Sequence, residues 1–159
     1  MFTVDPWFSS ESRAYMLTMI RRFAMHGQVQ IERSVVTPPP KLASKEMTVL
    51  IEDVLVQVFK RDKDKFFAGE VDKVQYPDYY VEIERPMDFG TIFKNNVAGV
   101  YATTDQFLLD VRQVGVNCAK YNASRFKFLI PIASSLVKLC EDQVKKRRAL
   151  FAAAEAKSN

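Results

Sequence analysis

The residues best suited to chemistry lie in one segment, 77–88, and at one distant asparagine, Asn122. Within the segment, the tyrosine pair Tyr79 and Tyr80 stands between two prolines, which restrict the path of a loop. Tyrosine places a hydroxyl on a large apolar ring, and an asparagine side chain both donates and accepts hydrogen bonds. Such residues are typical of a small, mostly apolar pocket built between a shaped loop and a helix end.

Four amphipathic helices are predicted to position this pocket, with a long aperiodic connection over residues 61–85 between the first two. A capping residue or a proline marks the start of each helix. These signals are Ser44 for the first helix, Asp88 for the second, the capping box of Thr103 and Gln106 for the third, and Ile130-Pro131 for the fourth. Apolar residues at helical spacing are Met47, Leu50, Ile51, Val54, Leu55, Val58, Phe59, Phe107, Val111, Val114, Cys118, Tyr121, Ile132, Leu136, Leu139, Cys140 and Val144.

Composition favours an all-α fold. The chain has 159 residues, is 48% hydrophobic and contains only five glycines, which suits one domain with a substantial core. Its two cysteines, Cys118 and Cys140, lie in apolar helical patterns and are interpreted as core residues, not as a disulfide or a metal site. No apolar run is long enough for a membrane span, and no secretion signal is recognised.

Three regions are predicted along the chain. Residues 1–40 form an N-terminal extension, with a helix that begins near Ser9 and ends near Gly27, followed by a stiff linker that contains three consecutive prolines. Residues 41–151 form the main domain, and residues 152–159 form a C-terminal tail. The apolar stripe of the N-terminal helix must be covered, either by the main domain or by a partner.

This pattern resembles the bromodomain, a left-handed four-helix bundle that binds acetyl-lysine between the loop joining its first two helices and the loop joining its last two. The resemblance covers about residues 44–150, and the order and spacing of its elements agree with the family. The matching residues are Phe67, Val71, Pro77, Asp78, Tyr79, Tyr80, Ile83, Pro86, Met87, Asp88, Thr91, Ile92, Tyr101, Phe107, Asp110 and the run 117–122.

The resemblance implies that the Asn122 side chain donates to the acetyl carbonyl, while the Tyr79 hydroxyl supports the same carbonyl through a water. It also implies apolar walls formed by Phe67, Val71, Tyr76, Tyr121 and a large residue after Asn122. Two alignments of that last position remain open, Phe128 and Leu129, and the spacing from Asn122 favours Phe128. The Trp-Pro-Phe shelf of many bromodomains is here Lys65-Phe66-Phe67, which retains only the phenylalanine.

Each pocket residue also has a simpler interpretation. Asn122 could adopt a left-handed turn at a helix end, and the two tyrosines could be core aromatics. Of that pair, Tyr80 is predicted to be the structural one. Phe66 could be a loop residue that only covers the bundle.

Charge gives two predictions about partners. Between residues 62 and 84 there are seven acidic and three basic residues, although the whole chain carries +4, so a cationic peptide suits this loop. Arg125 and Lys127, on the other side of the predicted pocket, could favour an acidic or phosphate group.

We therefore predict a nuclear reader of acetylated histone tails that belongs to a chromatin or transcription complex, with no enzymatic activity, metal or cofactor. The alternative is a basic helical module that binds nucleic acid, or a scaffold of the same fold that has lost acetyl-lysine binding. Nucleic acid would be contacted by the basic run, which is Lys145, Lys146, Arg147 and Arg148.

Overall fold

Six helices form the computed structural model over residues 41–158, which are the residues that the structure describes. They are α1 (Lys45–Arg61), α2 (Tyr79–Glu82), α3 (Phe89–Val97), α4 (Thr104–Asn122), α5 (Leu129–Lys146) and α6 (Arg148–Ala156). This range contains no β-strand, so the predicted all-α fold is confirmed. The predicted N-terminal helix and proline linker lie outside the described residues.

The helices begin where their capping residues predict. The Ser44 side chain accepts a hydrogen bond from the Met47 amide at the start of α1, and the Asp88 carboxylate accepts one from the Thr91 amide at the start of α3. At the start of α4, Thr103 and Gln106 form the expected reciprocal capping box. Each cap satisfies backbone donors that have no partner within the helix, which fixes the start of the helix in sequence.

The core lies between α1, α3, α4 and α5. Helices α4 and α5 pack along each other, while α1 packs on α3 and α5. Among the side chains buried almost completely in this core are Met47, Ile51, Leu55, Phe89, Ile92, Phe107, Val111 and Leu136. Cys118 and Cys140 are buried free thiols, which agrees with their interpretation as core residues. None of the described helices is long and apolar enough to cross a lipid bilayer.

The C-terminal boundary differs from the prediction. Residues 152–156 were expected in a tail, but they belong to α6, in which Phe151 and Ala154 are buried. The Ser44 hydroxyl donates to the Ala154 carbonyl at 2.7 Å, and the Ser158 hydroxyl accepts from the Ser44 amide at 3.1 Å. These contacts join the end of α6 to the start of α1, so residues up to Ser158 are part of the folded unit.

The long connection between α1 and α3 is held in place by hydrogen bonds. The Asp62 carboxylate is buried and accepts from the backbone amides of Phe66 (3.1 Å) and Phe67 (2.9 Å). The Phe67 carbonyl then accepts from the Phe89 amide at 2.9 Å, which ties the loop to the start of α3. Lys65 adopts a left-handed conformation, with φ of 57°, to make the turn. The loop therefore has a defined shape despite its lack of sequence periodicity.

Candidate functional site

A cavity of about 460 Å³ lies between the long α1–α3 connection and the loop that joins α4 to α5. All seven residues that the sequence predicted for the pocket line it, although they come from distant parts of the chain. They are Phe67, Val71, Tyr76, Tyr79, Tyr121, Asn122 and Phe128. Further lining residues that the sequence analysis did not assign to the pocket include Pro86, Met87, Thr91, Val114, Cys118 and Phe126.

Asn122 is the last residue of α4 and is only 6% exposed. Its side-chain Nδ2 makes a long contact of 3.6 Å with Cys118 Sγ, and its Oδ1 has no hydrogen-bond partner within the described part of the chain. The alternative of a left-handed turn at Asn122 is wrong, because its backbone is helical and among described non-glycine residues only Lys65 has positive φ. A buried polar atom without a partner is costly, so the Asn122 amide is suited to a ligand that supplies the missing bond.

Tyr79 lines the same cavity as Asn122 and is buried. Its ring makes edge contacts with the rings of Tyr80, at 5.2 Å, and Tyr121, at 5.0 Å. Burial raises the pKa of the Tyr79 hydroxyl to about 12, although a hydrogen bond with the Asn117 side chain acts in the opposite direction. The hydroxyl is therefore protonated at neutral pH and able to donate a hydrogen bond.

Tyr80 fastens the loop. Its hydroxyl donates to the Val71 carbonyl at 2.6 Å, and the Lys73 ammonium lies 5.2 Å from the centre of its ring. This contact is of the structural kind that we expected of Tyr80. It also holds Val71 in the wall of the cavity.

A chain of aromatic rings crosses the mouth of the cavity. Phe66, on the first loop, contacts Phe128, at the start of α5, with ring centroids 5.9 Å apart. Phe128 then contacts Phe126 at 6.4 Å, and Phe126 contacts Tyr76 of the first loop at 6.2 Å. Phe128 and Leu129, the two alternatives for one position, both line the cavity, but the ring contact across the mouth is made by Phe128.

Arg125 joins the two loops that enclose the cavity. Its guanidinium forms ion pairs with Glu82 at 2.6 Å and with Asp78 at 3.2 Å, and it donates to the Tyr121 carbonyl at 2.6 Å. The guanidinium also stacks on the Tyr121 ring, 4.1 Å from its centre, while the Tyr121 hydroxyl donates to Asp78 at 2.8 Å. The predicted use of Arg125 for an external acidic group is thus disfavoured, because its donors are already engaged by the protein.

The sequence profile of the bromodomain family matches residues 51–131. The chain belongs to the bromodomain family. The matched region runs from within α1 to the first turn of α5, so it contains the whole cavity lining.

Similar sequences occur in subunits of a transcription initiation factor and in a protein that contains a bromodomain and PHD fingers. The chain is 32% identical over 108 residues to transcription initiation factor TFIID subunit 1 of Oryza sativa subsp. japonica, an alignment of 66% of this chain and 6% of the relative. It is 31% identical over 96 residues to bromodomain and PHD finger-containing protein 3 of Mus musculus, covering 60% and 8%. It is 40% identical over 62 residues to TFIID subunit 1 of Drosophila melanogaster, covering 39% and 3%. The chain therefore spans less than a tenth of the length of these relatives.

The Arg125 contacts lead to a prediction about the shape of this bromodomain's cavity. We expect Arg125→Met to weaken ligand binding severalfold without unfolding the protein, because the two loops lose their shared cation while the bundle core is untouched. Hydrogen exchange of the loop amides at residues 78–82 and 123–128 should become faster in the variant. Both changes are measurable on the same protein sample.

The matched control is Arg112→Met. Arg112 also forms an ion pair, with Glu141 at 2.8 Å, but this pair joins α4 to α5 and neither residue lines the cavity. Equal effects of the two substitutions on binding would show that Arg125 has no special part in shaping the site.

Carboxyl groups occupy part of the cavity lining. Glu70 and Asp72 are exposed on the first loop, and Asp88 is buried at the start of α3. Burial raises the pKa of Asp88, and the charge of Glu70 raises it further, against the hydrogen bonds from Thr91 that lower it.

The basic run near the C-terminus is interrupted by a break between helices. Helix α5 ends at Lys146 and α6 begins at Arg148. The Arg147 side chain turns back onto the protein, 3.4 Å from the Asp53 carboxylate and 5.8 Å from the centre of the Phe151 ring. Lys145, Lys146 and Arg148 are exposed, so Arg147 is the member least available to an external phosphate.

The cavity holds one thiol, Cys118, next to Asn122. Burial raises the pKa of Cys118, which keeps the thiol protonated and opposes a role as a nucleophile. In residues 41–158, no three His, Cys, Asp or Glu side chains are grouped closely enough to hold a metal ion.

Proposed function

We propose that this bromodomain is a reader of acetylated lysine and that the cavity beside Asn122 is its binding site. The observation that carries the proposal is the buried Asn122 amide, whose Oδ1 has no hydrogen-bond partner in the described structure, at the end of a largely aromatic and aliphatic cavity. A secondary amide, the group that acetylation adds to lysine, has one donor and one acceptor that complement this side chain.

Exclusion of charge accounts for discrimination between modified and unmodified lysine. A lysine ammonium that entered the cavity would lose its hydration among aromatic side chains, and the one buried carboxyl of the lining, that of Asp88, already accepts hydrogen bonds from Thr91 on both oxygens. The acetylated side chain is neutral, so its entry costs far less. The site thereby recognises the modification through the loss of the positive charge as well as through the hydrogen bonds to the amide.

Individual residues have distinct roles in this proposal. Asn122 Nδ2 donates directly to the acetyl carbonyl, and the protonated Tyr79 hydroxyl supports the same oxygen through a water. Apolar contacts come from the remaining predicted lining residues, namely Phe67, Val71, Tyr76, Tyr121 and Phe128. Binding is reversible and involves no covalent step, so the protein acts as a recognition module and not as an enzyme.

The proposed ligands are acetylated histone tails, and the proposed setting is a nuclear chromatin or transcription complex. The relatives support this setting because their names describe a subunit of a transcription initiation factor and a protein with bromodomain and PHD finger modules. The acidic first loop supports it too, since histone tails are rich in lysine and arginine.

A peptide array tests the proposal. Acetylated and unmodified histone-tail peptides and a duplex DNA should be assayed at two salt concentrations. Acetyl-dependent binding that persists at the higher salt is expected. Binding to DNA alone, with steep loss as salt rises and no response to acetylation, would instead favour a basic module that acts through exposed residues such as Lys145, Lys146 and Arg148.

A further inference from the structure

The cavity carries an uneven charge. Its lining includes the carboxyl groups of Glu70, Asp72 and Asp88, whereas none of the described Lys, Arg or His residues lines it. Arg125, three residues after Asn122, does not line the cavity and forms ion pairs with Asp78 and Glu82. The lining therefore has no basic residue of its own, and Lys73, which follows Asp72 in the chain, lies 5.2 Å from the centre of the Tyr80 ring.

Two observations indicate that this charge faces a ligand. The Asn122 Oδ1 is buried in the same cavity without a partner, which marks where the ligand's amide would bind. Near the mouth, the rings of Phe66 and Phe128 are 43% and 56% exposed, and they contact each other. The exposed faces of aromatic rings attract cations, and these rings line the same cavity as Glu70 and Asp72.

Peptide geometry connects these features. Adjacent Cα atoms are about 3.8 Å apart, so a residue one or two positions from the acetyl-lysine remains close to the mouth when the acetyl group reaches Asn122. A lysine or arginine at such a position has a long flexible side chain that can extend over the rim while its charge remains hydrated.

We propose that Glu70 and Asp72, with the exposed rings of Phe66 and Phe128, form a subsite for a lysine or arginine placed within two residues of the acetyl-lysine. The inference rests on the proposed function and makes it more specific: the ligand is an acetyl-lysine peptide with a neighbouring positive charge. Because the carboxylates are exposed, the subsite contributes a modest preference of about two- to fivefold, and added salt reduces it.

A pair of matched peptides tests the subsite. Both carry one acetyl-lysine, and the neighbouring residue is arginine in one and citrulline, its neutral analogue, in the other. Wild-type protein should bind the arginine peptide about two- to fivefold more tightly at low salt. The preference should disappear in the double variant Glu70→Gln and Asp72→Asn, which keeps the shape of both side chains.

Glu84→Gln is the control, because Glu84 is an exposed acid of the same connection but does not line the cavity. This variant should keep the preference. Equal affinity of wild-type protein for the two acetylated peptides would overturn the subsite, as would a loss of the arginine preference in Glu84→Gln as large as in the double variant. Either result would leave the proposed acetyl-lysine recognition unaffected. If neither acetylated peptide binds better than its unmodified counterpart, the proposed function fails and the subsite fails with it.

Discussion

Asn122→Ala should strongly weaken the binding of acetylated peptides while leaving the helical fold intact. The variant removes the donor that is proposed to face the acetyl carbonyl, so the amide of the bound ligand would be buried without its hydrogen bond. This costs about 1–3 kcal/mol, or roughly 5- to 150-fold in affinity. The same side chain contributes little to folding, because its Oδ1 has no partner in the described structure and its Nδ2 makes one long contact with Cys118. Titration calorimetry and circular dichroism on the same preparation would measure both effects.

Two further variants make this test specific. Asn122→Asp retains the size of the side chain but replaces the donor with a carboxylate oxygen, so it should also lose binding. Asn96→Ala alters another buried asparagine, whose Nδ2 donates to the Thr48 carbonyl at 3.0 Å, away from the cavity. It should lower the thermal stability and retain binding. Equal affinity of wild-type protein and Asn122→Ala would refute the assigned site.

Asp110→Ala should destabilise the bundle by about 1–3 kcal/mol in the free energy of unfolding. Tyr101 is 1% exposed, and its hydroxyl donates to Asp110 Oδ2 at 2.7 Å, while Arg85 forms an ion pair with the other carboxylate oxygen. Removal of the carboxylate leaves a buried hydroxyl without its acceptor and a guanidinium without its counter-charge. Chemical denaturation monitored by circular dichroism would measure the change.

A double-mutant cycle with Tyr101→Phe separates this hydrogen bond from the rest of the loss. In the wild-type background, removal of the hydroxyl should cost about 0.5–1.5 kcal/mol, since a made hydrogen bond is lost. In the Asp110→Ala background the same change should be neutral or stabilising, because it removes a buried donor that has lost its acceptor. If the losses in free energy of unfolding from Tyr101→Phe and Asp110→Ala were additive, the Tyr101 hydroxyl and the Asp110 carboxylate would not interact in solution.

This buried pair is part of a longer set of polar contacts. The Arg85 carbonyl accepts from Asn117 Nδ2 at 2.7 Å, so the contacts run from Tyr101 through Asp110 and Arg85 to Asn117 on α4. Asn117 lies one residue before Cys118, which lines the cavity. A pattern confined to the pocket could not indicate these contacts, because none of the four residues lines the cavity.

Local signals in the sequence determined the helix starts. Three helices are capped by a side-chain oxygen that accepts from a backbone amide three residues ahead, namely those that start after Ser44, Asp88 and Thr103. Such caps can be predicted from the sequence because both partners lie within the same short segment. Apolar spacing likewise predicted the buried face of α4, including Val111, Val114 and Cys118, because burial follows the helical period.

Local sequence signals did not predict features that depend on contacts between distant parts of the chain. Residues 152–156 were predicted to be a tail, yet they are helical and are joined to the start of α1 by long-range bonds such as that from Ser44 to Ala154. Phe126 was not recognised as a pocket residue. Its contact with Tyr76 crosses between two loops, and neither loop has a period that places its side chains.

Sequence by itself determined the family, the four main helices and the set of residues expected around the cavity, because these depend on side-chain types at fixed spacing. Only the tertiary structure decided how those residues are used. It engaged Arg125 in ion pairs with Asp78 and Glu82, placed the ring of Phe66 against that of Phe128, and placed Glu70 and Asp72 in a lining that includes no described basic residue. The physical reason is that charge pairing and ring contacts between loops depend on distances in space, which residue spacing along an aperiodic segment does not fix.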